Sequence, residues 1–92
     1  MSLFVGIAYY EKKDWDFFLS VIDDRDSVED SWEEWSNGFM KTKMDLISRG
    51  LQVSEVKVNM NELINFCLDR KIKNNGAVRS QFVSEKLKQA NP

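Results

Sequence analysis

Few residues in this chain are of the types that perform catalysis. The sequence contains no histidine, which removes the commonest general base at neutral pH and every Ser-His-acid or Cys-His arrangement. The single thiol, Cys67, lies between Phe66 and Leu68 in an apolar segment, and free cysteine is among the most buried residue types. An activated thiolate would need a nearby cation, for which Arg70 is the close candidate. We therefore expect a non-enzymatic protein without catalytic residues or a cofactor.

A run of carboxylates between residues 23 and 30 suggests a cation site. The EF-hand pattern fails there, because a loop starting at Asp24 has Glu29 where glycine is required and Trp35 where glutamate is required. Acids at a turn and a helix start are explained by the positive end of the helix macrodipole, so no metal site is predicted. The carboxylates are Asp23, Asp24, Asp26, Glu29 and Asp30.

Basic residues surround a predicted helical hairpin near the end of the chain. Arg70, Lys71, Lys73 and Arg79 flank a turn that contains Gly76, and this outline resembles a DNA-binding helix-turn-helix. The connection of about five residues is longer than the usual turn, and the pI of about 5.1 opposes nucleic-acid affinity. An α-hairpin with a basic outer face is the simpler interpretation, and nucleic-acid binding is the alternative function.

An aromatic and methionine-rich segment is the candidate protein-binding surface. Its residues are Trp32, Trp35, Phe39 and Met40. As members of a helical stripe the tryptophans would be core, because tryptophan buries a large apolar area. As a partly exposed pair they would be a docking surface, since tryptophan is enriched in interface hot spots. Met40 and Met44 would add an adaptable apolar surface beside them.

Charge is divided along the chain. Residues 1–35 carry ten acids against three bases, and residues 36–92 carry ten bases against five acids, although the net charge is only −2. Such a division predicts either a partner or an internal pairing of the two halves. Our first hypothesis is accordingly an interaction or regulatory module that binds a protein partner or self-associates.

The length and the cysteine content limit the class of protein. A chain of 92 residues is expected to form a single domain, 1–92, around one modest core. The sequence has no apolar run approaching the roughly 20 residues that span a bilayer, so no membrane partner is predicted. A single cysteine favours a reducing compartment, and a cytoplasmic location is expected.

Hydrophobic periodicity predicts an α+β fold in the order β-α-α-β-α-α. The predicted strands are 3–10 and 52–58, and the predicted helices are about 14–22, 28–49, 61–71 and 77–89. Two strands are expected to pair with each other or across a dimer, and their open edges invite strand addition. An all-α fold, with residues 3–10 helical, is the structural alternative.

The long second helix carries both a start signal and an interruption. The pattern Ser27-Val28-Glu29-Asp30 is typical of a helix N-terminus and places the start near residue 28. Gly38 falls inside the predicted helix, where glycine costs about 1 kcal/mol relative to alanine. Because the apolar phase continues across it, one helix is predicted, and two helices with a turn at Asn37-Gly38 remain an alternative.

Overall fold

The computed structural model describes residues 4–90 and confirms the predicted α+β class and element order. The elements are β1 (Phe4–Tyr9), α1 (Trp15–Val21), α2 (Trp32–Ser48), β2 (Gln52–Lys57), α3 (Met60–Arg70) and α4 (Gly76–Ala90). The all-α alternative is wrong. Leu3, predicted as part of the first strand, lies outside the described residues. Within residues 4–90 no helix combines the length and apolar character needed to cross a bilayer.

The two strands form a parallel pair. The register runs from Phe4 opposite Gln52 to Tyr9 opposite Lys57. Parallel neighbours need a long crossover connection, which α1 and α2 supply. Since the sheet has the order β1-β2 and no third strand among the described residues, each strand keeps one unpaired edge.

Helices cover both faces of the sheet. Successive strand residues point to opposite faces. On one face a Cβ added at Gly6 would lie 3.2 Å from Val83 Cγ1 on α4. On the other face the ring of Tyr9 contacts Trp35 and Phe39 of α2, with centroids 5.9 and 5.5 Å apart. The sheet is therefore a thin layer between α4 and α2.

The remaining helices pack at the carboxyl end of the strands and share the core with α4. Phe66 of α3 meets Phe82 of α4 edge to face, with ring centroids 5.3 Å apart. The continuous core consists of Tyr10, Trp15, Phe18, Ile22, Val58, Met60, Leu63, Cys67, Phe82 and Val83. It draws on α1, α3 and α4 and on the residues that directly follow each strand.

The long helix begins later than predicted. Ser27 belongs to a short 3-10 turn, Arg25–Ser27, and α2 starts at Trp32 instead of residue 28. The N-cap is Ser31, whose Oγ accepts a hydrogen bond from the Glu34 N–H at 3.1 Å. The Ser-x-x-acid pattern therefore occurs twice in succession, and the second copy is the one that starts the helix.

The helix then runs without a break through Gly38 to Ser48. The two-helix alternative is wrong, because the apolar phase on both sides of Gly38 keeps one face against the sheet. Gly50, with φ of +84°, follows the end of the helix in a conformation that favours glycine.

Asparagine side chains cap the last two helices. Asn59 Oδ1 accepts from the Glu62 N–H at 3.0 Å, and Asn75 Oδ1 accepts from the Val78 N–H at 3.0 Å. Each helix consequently begins one residue before its predicted start, at Met60 and Gly76.

Two glycine substitutions test the packing of α4 on the sheet. A Cβ at Gly6 would lie 3.1 Å from Leu87 Cδ2 and 3.2 Å from Val83 Cγ1, so a branched side chain overfills this contact. We expect Gly6→Val to lower the free energy of unfolding by about 1–3 kcal/mol in urea denaturation. At Gly38 an added Cβ would meet no atom within 4 Å. The matched variant Gly38→Ala should therefore raise the free energy of unfolding by up to about 1 kcal/mol. A Gly6→Val protein as stable as the wild type would contradict the packing.

Candidate interaction site

The acidic loop and the basic last helix meet at one ion pair. Arg79 donates two hydrogen bonds to the Asp24 carboxylate, from Nη2 to Oδ2 at 2.7 Å and from Nη1 to Oδ1 at 2.9 Å. The arginine is buried, with 7% of its surface exposed. Asp24 Oδ2 also accepts from the Gly76 N–H at 3.0 Å. The Arg79 guanidinium holds the pKa of Asp24 below its ordinary value, so the carboxylate is charged at neutral pH.

Neighbouring groups complete this contact. Arg79 Nη1 also donates to the backbone O and the Oδ1 of Asn74, at 3.0 and 3.1 Å. The Asn74 N–H donates to Asp23 Oδ2 at 2.7 Å, and the Asp23 N–H donates back to the Asn74 O at 2.8 Å. Burial raises the pKa of Tyr10 to about 12, against the opposing effect of Arg79 beside it. Residues 23–24 and 74–79 are thus fixed to one another across the fold.

Trp35 lies at the centre of an aromatic cluster that engages most of the predicted binding residues. Trp32 is half-buried and donates from Nε1 to the Tyr10 O at 2.8 Å. Phe39 is buried, whereas Met40 is 47% exposed. The rings within 6.3 Å of Trp35, centroid to centroid, are Tyr9, Tyr10, Trp15, Trp32 and Phe39. Of the four candidates, only Met40 is strongly exposed.

A line of apolar side chains on α2 faces away from the rest of the fold. Met40, Met44 and Ile47 are 47%, 66% and 52% exposed. Their spacing of four and three residues places them on one helix face, which we call the α2 ridge. A contiguous exposed apolar surface marks an interaction site more than scattered residues do. The sequence stripe alone does not separate these residues from the buried ones.

The free edge of β1 forms the floor of a groove of about 320 Å³. One wall comes from α4 and the other from the loop before α2 together with Trp35. We call this feature the β1 groove. Its floor is Gly6, Ile7 and Ala8, its α4 wall includes Gly76, Ser80 and Val83, and its opposite wall includes Ser27, Val28 and Glu29. The sequence shows an open strand edge but not the two walls.

The structure does not gather the four predicted nucleic-acid-binding residues into one exposed patch. Arg79 is buried against Asp24. Arg70 donates to both carboxylate oxygens of Glu85, at 2.8 and 2.9 Å, and stacks on Phe66. Lys71 and Lys73 are exposed. Both arginines are therefore already occupied by carboxylates of this chain.

Cys67 is buried, and the Glu11 carboxylate is paired with lysines. Burial raises the pKa of the Cys67 thiol, which is the opposite of what an activated thiolate requires. In a cavity of about 540 Å³ beyond the strand ends, Glu11 accepts from Lys57 at 2.8 Å and lies 3.5 Å from Lys13. Across residues 4–90, no group of three or more acidic or thiol side chains is arranged to hold a metal ion.

Comparison of the chain with protein-family models, curated proteins and solved structures finds no match. The geometry of these surfaces is accordingly the basis for a functional proposal.

Two isosteric substitutions compare the contributions of two bidentate ion pairs to stability, the buried pair of Arg79 and Asp24 and the exposed pair of Arg70 and Glu85. Asp24→Asn leaves the buried Arg79 guanidinium without its counter-ion, and we expect a loss of about 2–3 kcal/mol in the free energy of unfolding. Glu85→Gln removes the equally bidentate but exposed partner of Arg70 and should cost much less, because water screens that pair. Equal losses in denaturant titrations would contradict a structural role specific to Asp24.

The pH dependence of stability also reports on the ion pair between Asp24 and Arg79. The folded-state pKa of Asp24 lies below its unfolded value, so its contribution is complete above the unfolded pKa and is lost as the pH falls through the folded pKa. The stability difference between the wild type and Asp24→Asn should stay constant from about pH 5 to 8 and shrink below about pH 4. Denaturation at stepped pH measures this difference, and a gap that widens in acid would refute it.

Proposed function

We propose that this protein is a non-enzymatic interaction module that associates with a second copy of itself through the α2 ridge. The observation that carries the proposal is the exposure of Met40, Met44 and Ile47 in one line on a 17-residue helix. Moving large apolar side chains out of water lowers the free energy of the system, and the flexible methionine side chain adapts its shape to a partner. Association would bury the part of α2 that the sheet leaves uncovered.

The helix macrodipoles favour an antiparallel pairing of two copies. The positive end of each α2 then lies towards the negative end of the other, an arrangement that the two dipoles stabilise. Since the ridge runs from Met40 to Ile47, such a pair is centred near Met44.

The chemistry of the chain supports a role without catalysis. The sequence lacks histidine, and its single thiol is buried with a raised pKa. An unpaired buried cysteine also supports a cytoplasmic setting as part of this proposal.

A matched pair of substitutions tests the α2 ridge by analytical ultracentrifugation. Met44 and Leu68 are equally exposed, at 66% and 68%, on different helices. The wild type should sediment as a monomer at low concentration and approach twice its 10.8 kDa mass near about 100 μM, the range that a small interface supports. Met44→Lys should weaken association by at least about tenfold, because a lysine ammonium would have to be desolvated, and Leu68→Lys should leave it unchanged.

Two results would overturn this proposal. A wild-type protein that stays monomeric at millimolar concentration has no self-association for the ridge to explain. A dimer that Leu68→Lys disrupts and Met44→Lys spares uses α3 instead of α2. Circular dichroism of both variants confirms that each substitution leaves the helices folded.

A further inference from the structure

We propose that the β1 groove binds an extended segment of another protein, added as a strand to β1, with a lysine or arginine of that segment beside Glu29. This inference goes beyond the α2 ridge, because it concerns a different surface and a partner other than a second copy. Strand addition at an open sheet edge is a known mode of peptide recognition, in which main-chain hydrogen bonds supply affinity and side-chain contacts supply specificity.

The two sheet edges differ in their protection. β1, with the sequence FVGIAY, carries no charged residue and no proline. β2 carries Glu55 and Lys57, and charged side chains on an edge strand oppose pairing with a further strand. β1 is therefore the edge that can accept another strand.

The outward-facing backbone of β1 has few partners within residues 4–90. In a parallel pair, alternate residues direct their N–H and C=O groups away from the neighbouring strand. Besides the ladder with β2, the hydrogen bonds at this segment lie at its carboxyl end. There the Tyr9 O accepts from the Val58 N–H at 3.0 Å and the Tyr10 O accepts from Trp32 Nε1. The edge at Gly6, Ile7 and Ala8 is left for an incoming chain.

The walls of the groove decide which occupant fits. Ser80 and Val83 of α4 flank the strand on one side, and Val28 and Glu29 flank it on the other. A single extended segment can enter between these walls. A second copy would bring the same walls around its own β1, and two equally recessed strands would meet wall to wall before their backbones could pair.

The charge of the walls selects a basic segment. Arg79 is neutralised by Asp24, and Arg25 pairs with Asp30 at 2.9 Å. Asp26 and Glu29 are exposed and make no ion pair among the described residues. Glu29 lines the groove, so a cationic side chain in the bound segment would meet an uncompensated carboxylate.

A titration followed by amide NMR tests this inference. The ligand is a capped peptide of about eight residues that alternates valine with lysine, and its matched control alternates valine with glutamate. The protein is the full chain carrying Met44→Lys, so that any α2 association does not interfere. We expect saturable shifts at residues 5–8 and 27–29, with the lysine peptide binding at least about tenfold more tightly than the glutamate peptide.

Two variants then locate the charge contact. Glu29→Lys should weaken the lysine peptide by at least about tenfold, while Asp69→Lys, an exposed carboxylate on α3, should leave its affinity unchanged. The inference is overturned if residues 5–8 do not shift, if both peptides bind equally, or if Glu29→Lys has no effect. Shifts at residues 5–8 on dilution of the protein alone would show that a second copy occupies the edge, which also overturns it.

Discussion

The bidentate contact between Arg79 and Asp24 is the interaction on which the rest of the structure depends. It joins the loop that leaves α1 to the first turns of α4 and is reinforced by the Gly76 N–H and by Asn74. The loop continues into one wall of the β1 groove, and α4 forms the other wall. The ion pair therefore joins the two walls of the groove, together with the hydrogen bonds between Asp23 and Asn74.

The contact between Arg79 and Asp24 explains part of the division of charge along the chain, because it pairs an acid of residues 1–35 with a base of residues 36–92. One acid of the first segment and one base of the second segment are withdrawn from water and neutralise each other. Salt bridges between Arg70 and Glu85 and between Lys43 and Glu55 neutralise further charges within the second segment. Among residues 4–90, the exposed charges that no ion pair neutralises include Asp26 and Glu29 beside the β1 groove, and Lys71 and Lys73 on the turn between α3 and α4. Internal complementarity and exposed charge therefore coexist in one small fold.

The order and type of the elements could be predicted because hydrophobic period and caps are local properties. The start of α2 could not, since two successive Ser-x-x-acid patterns compete and a distant arginine holds the loop that contains the first. The sequence alone does not distinguish the α2 ridge from the buried apolar residues of the same helix. Neighbouring strands lie only about 4.8 Å apart, so a sheet of two strands covers only a narrow part of α2. The role of Arg79 was hidden for a similar reason, as its partner lies 55 residues away and the local sequence suggested an exposed basic turn.

Asp24 and Arg79 act as one unit that couples the acidic loop to α4. A double-mutant cycle with Asp24→Asn, Arg79→Met and the combined variant measures their coupling free energy directly in denaturant titrations. We expect a coupling of about 2 kcal/mol or more, because either single change leaves the other partner poorly compensated. Additive single effects, with a coupling below about 0.5 kcal/mol, would contradict it.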